Sequence, residues 1–269
     1  MAKSVEWLKK VDEEIDGLAS EIDVVKASEA YRRHLDVMAS FWHYSLYNQF
    51  LILMQRPDAT LVAGYRQWKK KGRYVKKGEK GITILAPGVK KVEDGEGDED
   101  RIIQYFFTVT VFDISQTEGE ALPIMQGKVE GSDARPYFDA LVAHCELNGT
   151  TVKYESLWDG YYGSSRNGEI ILNGEHPINT LFGTVVHEMA HELLHWDGEK
   201  GTKLRMETEA EGVSYVVLRH FGLPTSAPTY LALCRSDGDA LKESFGNISD
   251  VAKQIITAVE SGLQQEIAA

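Results

Sequence analysis

Cysteine and long apolar runs are the features that this sequence most clearly lacks. Its 269 residues include two cysteines, Cys145 and Cys234, and no CxxC pair. A disulfide framework is therefore excluded, and a reducing, cytoplasmic setting is the expectation. No run of about 18 apolar residues occurs, so we expect no membrane span and no membrane partner. Residues 1–3 do not have the composition of a signal peptide.

Positive charge is scarce over the whole chain but concentrated in one segment. The formal net charge is −12, which argues against nonspecific nucleic-acid binding by the whole surface. Residues 126–269 carry 11 basic and 21 acidic side chains, whereas residues 1–125 carry 18 and 20. Within the first half, residues 56–91 hold 11 basic residues against two acidic ones. We call residues 56–91 the basic segment.

Aromatic residues precede and interleave the basic segment. Lysine and arginine can follow a phosphate backbone, and aromatic rings can stack on unpaired bases. We therefore predict that this part of the chain binds nucleic acid. The candidate contacts are Lys69, Lys70, Lys71, Arg73, Lys76, Lys77 and Lys80, with Trp42, Tyr47, Trp68 and Tyr74 as stacking residues. The alternative is a solvated loop whose neighbouring aromatic residues pack in a core.

Hydrophobic periodicity predicts an α+β chain of two domains. Residues 1–125 read as helices followed by an antiparallel sheet, and residues 126–269 as a mostly helical domain with a small sheet. Besides one further helix described below, helices are expected over residues 4–25, 28–40, 44–54, 62–71, 134–147, 203–220 and 249–262, the last capped by Ser249. Strands are expected over residues 81–86, 102–114, 151–154 and 169–172, with an acidic loop at 93–100 and a linker at 117–132.

His187-Glu188-Met189-Ala190-His191 is an HExxH motif within an apolar helical pattern. Histidines four residues apart share one face of a helix, so both imidazoles can reach one tetrahedral Zn²⁺. The intervening Glu188 can act as general base toward a water molecule at the metal. A second HExxH frame, from His191 to His195, overlaps the first, and both frames share His191.

The third metal ligand is expected downstream of the motif. Asp197 has the spacing of HExxHxxGxxH/D enzymes, but Leu194 replaces the glycine that breaks their helix, so we discount it. The start of the helix over residues 203–220 offers Glu207 and Glu209, between which periodicity does not choose. Glu211 follows Glu207 by four residues, so one of the pair could bind metal while the other orients a ligand histidine.

Two regions of the chain resemble one family. Residues 44–49 (YSLYNQ), 55–60 (QRPDAT), 72–81 (GRYVKKGEKG) and 111–117 (VFDISQT) resemble the N-terminal domain of ArdC-type antirestriction proteins. The HExxH helix and residues 207–211 (ETEAE) resemble the zinc-peptidase domain of the same proteins, which is similar to ImmA/IrrE peptidases. The resemblance covers roughly residues 40–260.

The resemblance implies a single-stranded-DNA-binding domain over residues 1–125 and a gluzincin-like metallopeptidase domain over residues 126–269. It implies a mobile-element setting and protection of incoming DNA from restriction. It assigns His187, His191 and Glu207 as metal ligands and Glu188 as general base, and it favours the first HExxH frame. One Zn²⁺ per chain is expected, although Mn²⁺ or Co²⁺ could occupy the same ligands.

Three functional hypotheses follow. The first is a zinc endopeptidase coupled to single-stranded DNA binding, with an unidentified protein or peptide as substrate. The oxyanion formed during hydrolysis could be assisted by Tyr161, Tyr162, Tyr215 or His195. A peptide substrate could pair with the free edge of the strand over residues 169–172. The second is a non-catalytic DNA-binding protector with a structural zinc. The third is a regulatory peptidase that cleaves a repressor.

Overall fold

The computed structural model describes residues 2–21, 23–92, 101–122, 133–158, 160–195, 202–226 and 238–268. The chain divides into two compact units. The first comprises Met1–Asp16 and Tyr44–Pro123, and the second comprises Gly17–His43 and Ile124–Ala269. Within the described ranges, eight α-helices and eight strands in three small sheets confirm the predicted α+β class.

The predicted division into residues 1–125 and residues 126–269 differs from these two units. Helix α2 (Val24–Ser40) packs against α7 (Lys203–His220) in the second unit. The hydroxyl of Tyr215 on α7 donates to Asp36 Oδ1 on α2 at 2.8 Å. An amphipathic pattern predicts that a helix will bury one face but does not identify its partner. For that reason the sequence analysis placed residues 17–43 in the first domain, whereas they belong to the second unit.

The first unit is built on an antiparallel sheet in the order β1-β4-β3. Strands β1 (Val62–Gly64), β4 (Arg101–Asp113) and β3 (Ile82–Val92) pair with Ile82 opposite Val111 and Val62 opposite Asp113. A second, two-stranded sheet joins β2 (Arg73–Val75) to β5 (Thr117–Gly119). The helices of this unit are the first part of α1 (Ala2–Ser20), α3 (Leu46–Gln55) and α4 (Tyr65–Lys70).

Two amide side chains of α3 pair with the backbone of strand β3. Asn48 donates to the carbonyl of Leu85 at 2.9 Å and accepts from its N–H at 2.8 Å. Gln55 donates to the carbonyl of Thr83 at 2.8 Å and accepts from its N–H at 2.9 Å. Since β3 lies at one side of the sheet, these amides satisfy backbone groups that no strand pairs. This pairing explains why Asn48 and Gln55 occupy a largely apolar helix.

The second unit carries a three-stranded sheet in the order β6-β8-β7. Strand β6 (Thr151–Glu155) is parallel to β8 (Glu169–Asn173), and β7 (Gly163–Ser165) is antiparallel to it. Helix α6 (Ile178–Leu194) follows β8 and packs against the sheet and against α5 (Arg135–Leu147) and α7. Its buried apolar side chains are Leu181, Phe182, Val185, Val186, Met189 and Ala190.

Strand β7 was not predicted, and it changes the expected sheet edge. The sequence prediction gave the strand over residues 169–172 a free edge, but β8 is paired on both sides. The signal for β7 is Asn167-Gly168, which has φ values of 60° and 75° and joins β7 to β8 in a two-residue hairpin turn. Asn-Gly is a strong hairpin signal because both central residues of such turns need positive φ. The edge strands of this sheet are β6 and β7, and the residues of β7 line a cleft described below.

Several further boundaries differ from the prediction; residues 62–64, for example, form strand β1 and not the start of a helix. Helix α8 runs without interruption from Gly238 to Ala268, so Ser249 is a buried interior residue and not an N-cap. The expected linker begins too early, because Thr117–Gly119 forms strand β5. The acidic loop over residues 93–100, the rest of the linker after residue 122, Asp197 and Cys234 lie outside the described residues. No described helix combines the length and the apolar character needed to cross a membrane.

His34 gives the second unit a defined pH dependence. Its ring is buried on α2, 5.4 Å from the ring of Phe245, and Nδ1 lies 2.8 Å from the carbonyl of Ala30. Burial lowers the pKa of His34 to about 4. The folded state therefore binds fewer protons than the unfolded state between about pH 4 and 6.5, and the stability from His34 is lost as pH falls through that window.

We expect His34→Phe to reduce the fall in unfolding free energy between pH 7 and pH 4 by on the order of 3 kcal/mol. Urea unfolding of both proteins at a series of pH values measures this difference. Equal pH dependence in the two proteins would contradict the prediction.

Candidate metal centre and cleft

Helix α6 brings the two histidines of the HExxH motif together. The Nε2 atoms of His187 and His191 lie 3.1 Å apart, and both side chains are mostly buried, with exposures of 24% and 19%. Glu207 on α7 points its Oε2 at both rings, at 3.5 Å from His187 and 3.6 Å from His191. The three residues thus present two imidazole nitrogens and a carboxylate oxygen to one point.

The donor set fits a divalent metal ion. Two nitrogen ligands from histidine and one carboxylate oxygen are the three protein ligands typical of catalytic zinc sites. Burial lowers the pKa of His187, and burial together with the nearby His187 lowers the pKa of His191 to about 4. Both imidazoles are therefore neutral near pH 7, which is the state that binds a metal.

Glu188 lies beside these residues and is buried. Ser165, the last residue of β7, donates hydrogen bonds to its carboxylate from side chain and backbone. Burial raises the pKa of Glu188 to about 7 in spite of those hydrogen bonds. A carboxyl group with a pKa near the working pH is suited to accept and return a proton.

The second HExxH frame has a different role in the structure. The carboxylate of Glu192 accepts from the backbone N–H of Gly168 at 2.8 Å and so holds the β7–β8 turn. His195 places Nδ1 3.2 Å from Nδ1 of His191 and Nε2 3.0 Å from Oε2 of Glu209. Neither residue belongs to the group of His187, His191 and Glu207. The structure therefore favours the first frame.

Glu209, the runner-up as third ligand, is turned away from that group. It is 1% exposed and accepts hydrogen bonds from His195, Arg205, Ser244 and Asn247. Burial alone would raise the pKa of Glu209, but the hydrogen bonds from His195, Ser244 and Arg205 outweigh it and hold the pKa at about 2. The other ring nitrogen of His191 faces His195, a contact that the sequence analysis did not predict. The sequence signal for it is a third histidine at helical spacing, HExxHxxxH.

The site opens into a cleft of about 1210 Å³ in the second unit. Strand β7 lies along one side of the cleft, and α6 and α7 provide other parts of its wall. Of the residues considered for assisting an oxyanion, all four line the cleft. Tyr215 donates its hydroxyl to Asp36, and His195 pairs with Glu209, so Tyr161 and Tyr162 are the remaining candidates.

The structure corrects two of the predicted DNA contacts. Trp68 is fully buried, and its indole donates to the carbonyl of Phe112 at 2.8 Å, so it has no face for a base to stack on. Arg73 donates to Thr117 and to the carbonyl of Glu120, which ties β2 to β5. Single residues that look suited to nucleic acid can be structural, and the pattern of alternating aromatic and basic residues does not separate the two roles.

Two other predicted stacking residues have partners of their own. Trp42 lies in the second unit, where its ring meets His43 and His220 edge to face. It is therefore not part of the unit that carries the basic segment. Tyr47 is half-buried and donates its hydroxyl to Asp12 at 2.7 Å.

The remaining predicted contacts are exposed residues of the first unit. Tyr74 is 52% exposed on β2. Lys76 donates to the carbonyl of Ser115 at 3.0 Å but is itself exposed. The other exposed lysines are Lys69, Lys70, Lys71, Lys77 and Lys80.

Comparison with known proteins finds a family model that matches part of the chain. Residues 10–112 match the family model described as the N-terminal domain of anti-restriction factor ArdC. The match includes α3, with the amides that pair with β3, and the whole basic segment.

Similarity to ArdC extends over most of the chain at the level of the fold. The metal-free crystal structure of the antirestriction ArdC protein from plasmid R388 superposes with a TM-score of 0.54 at 24% identity, covering 88% of this chain and 97% of that one. The Mn(II)-bound crystal structure of the same protein gives 0.50 at 21% identity, covering 87% and 97%.

An uncharacterised protein of Bacillus anthracis is 26% identical over 284 aligned positions, which cover 85% of this chain. The alignment spans only 48% of that relative, so the chain corresponds to about half of its length.

Proposed function

We propose that this protein is an antirestriction protein of the ArdC type, with a metal-dependent, gluzincin-like peptidase in its second unit and single-stranded DNA binding in its first. The observation that carries the peptidase part is the convergence of His187, His191 and Glu207 in an open cleft with Glu188 beside them. The Mn(II)-bound structure of the R388 protein supports a divalent metal, and ligand type favours Zn²⁺.

His187, His191 and Glu207 would hold the metal. A divalent ion there would supply Lewis-acid activation of a water molecule and of a peptide carbonyl. Glu188 would take a proton from the attacking water as its oxygen bonds to the carbonyl carbon, and would deliver that proton to the amide nitrogen as the C–N bond breaks. The pKa of Glu188, raised to about 7, suits both transfers.

Strand β7 supplies a way to hold an extended substrate. Its three residues pair with β8 on one side and line the cleft with the other. A peptide that added to β7 as a further strand would lie in the cleft beside Glu188, which Ser165 of the same strand contacts. Among the described residues the group offers three protein ligands, whereas a structural site is normally closed by a fourth, and this difference favours hydrolysis over a purely structural metal.

The proposal is tested first by measuring the metal content of the purified protein together with its affinity for a single-stranded oligonucleotide. About one metal per chain with DNA binding supports both parts. A metal-free protein that cannot be loaded and still binds DNA would leave only a DNA-binding protector.

The exposed lysines make a separate prediction for the first unit. We expect Lys69→Ala/Lys70→Ala/Lys71→Ala to weaken single-stranded DNA binding and to reduce the slope of log K against log salt by about 2, because each phosphate contact on a single strand contributes about 0.7. The affinity is measured by fluorescence anisotropy at several salt concentrations.

A matched control separates the segment from overall charge. Lys3→Ala/Lys9→Ala/Lys10→Ala removes the same charge from α1 of the same unit. An unchanged slope in the first triple variant, or an equal loss in both, would remove these lysines from the DNA site.

A further inference from the structure

A continuous chain of hydrogen-bonding groups leads from the candidate metal centre into the core of the second unit. His191 Nε2 faces His187 and Glu207, while its Nδ1 lies 3.2 Å from Nδ1 of His195. His195 Nε2 in turn lies 3.0 Å from Oε2 of Glu209. His195 and Glu209 are both buried, so water has little access to this chain.

At the buried end of this series of hydrogen-bonding groups, the direction of the hydrogen bonds is fixed. Glu209 Oε1 accepts from Arg205 Nε at 2.9 Å and from Ser244 Oγ at 2.6 Å. Its Oε2 accepts from His195 and, at 3.3 Å, from Asn247 Nδ2. An ionised carboxylate, here with Arg205, Ser244 and Asn247 as donors, acts only as an acceptor. His195 must therefore carry its proton on Nε2 and donate it to Glu209.

The donor and acceptor roles of the His195 nitrogens then determine those of the His191 nitrogens. A neutral imidazole has one N–H and one lone pair, so a donor at Nε2 makes Nδ1 of His195 an acceptor. The group that can donate to it is Nδ1–H of His191, which leaves the Nε2 lone pair of His191 directed at His187 and Glu207. We infer that Glu209 and His195 act as positioning residues that fix the tautomer of His191 in its metal-binding form.

This inference rests on the proposed metal centre and adds residues to it. Helical spacing places His195 one turn after His191, and Glu209 comes from α7, two residues beyond Glu207. The same helix pair thus provides both the candidate ligands and the groups that orient one of them. Hydrogen-bond partners of ligand histidines commonly contribute about 10–100-fold to metal affinity.

Glu209→Gln tests the polarity with almost no change in shape. Arg205 and Ser244 hold the acceptor oxygen of the glutamine on their side, so its NH₂ faces Nε2 of His195 and donates to it, while Asn247 loses its acceptor. His195 then carries its proton on Nδ1 and donates to His191, whose proton moves to Nε2. We expect about 10–100-fold weaker binding of both Mn²⁺ and Zn²⁺, measured by competition with a chelator.

The tautomers themselves are read from the imidazole nitrogens by long-range ¹H–¹⁵N correlation NMR of the metal-free protein at pH 8. We expect His191 to be protonated at Nδ1 in the wild type and at Nε2 in Glu209→Gln. Glu243→Gln is the control, since it removes an equal charge that pairs with the same Arg205 and leaves the donors to Glu209 in place. It should retain the wild-type tautomer and affinity.

A second variant distinguishes an ordered chain from two independent contacts. His195→Phe interrupts the chain, so adding Glu209→Gln to it should cause no further loss of metal affinity, whereas independent structural effects would add. An unchanged His191 tautomer in Glu209→Gln, or metal affinity within about twofold of wild type, would overturn the inference. If the wild type binds neither metal, the proposed metal centre fails, and the ring nitrogens still decide whether Glu209 sets the tautomer.

Discussion

Glu188→Gln is expected to lower peptide hydrolysis by about 10²–10⁴-fold without loss of bound metal. Glutamine keeps an oxygen that can accept the hydrogen bonds from Ser165, so the side chain should stay in place. It cannot take the proton of the attacking water, and for that reason the loss should fall on the chemical step. Hydrolysis is measured by mass spectrometry on a mixed peptide library, because the substrate is to be identified by the same experiment.

The overlapping motif supplies the matched control for this variant. Glu192→Gln changes the same residue type one turn later on α6, where the carboxylate holds the backbone of Gly168. We expect Glu192→Gln to retain most of the activity and the metal. Loss of hydrolysis in Glu192→Gln with retention in Glu188→Gln would mean that the second HExxH frame is the catalytic one. Full activity in both variants would remove general-base catalysis by either residue.

The sequence predicted the two histidines of the candidate site more definitely than the carboxylate that faces them. HExxH spacing is local, since four residues of one helix set the separation of His187 and His191, and no tertiary information is needed. The choice between Glu207 and Glu209 is not local. It depends on how α7 is rotated against α6, and both residues flank the apolar stripe of α7 in the sequence. In the structure Glu207 faces both histidines, whereas Arg205, Ser244 and His195 surround Glu209.

Burial explains most of the errors in the first unit. Trp68 sits among lysines in the sequence, but α4 turns its indole into the core and the lysines outward. Periodicity over six helical residues is too short to reveal this. The polar residues Asn48 and Gln55 were attributed only to the family resemblance, whereas their physical role is to pair with the backbone of β3. Side chains that pair with the edge of a strand produce no periodic pattern in the sequence.

His187→Ala is the second variant with a large expected effect, on metal binding. Changing a residue that merely orients a ligand costs about 10–100-fold in affinity, so removing one of three candidate ligands should cost at least about 100-fold. The purified variant should therefore contain almost no metal. Its affinity for single-stranded DNA should be unchanged, because His187 lies in the second unit and the exposed lysines lie in the first.

The control for His187→Ala is His144→Ala, which removes a histidine from the last turn of α5 in the same unit. It should retain both metal and DNA binding. If His187→Ala kept its metal, the ion would have to be held elsewhere and the candidate centre would be wrong. If it lost DNA affinity together with metal while His144→Ala did not, the metal would be needed for DNA binding, and the two activities assigned to separate units would have to be treated as one site.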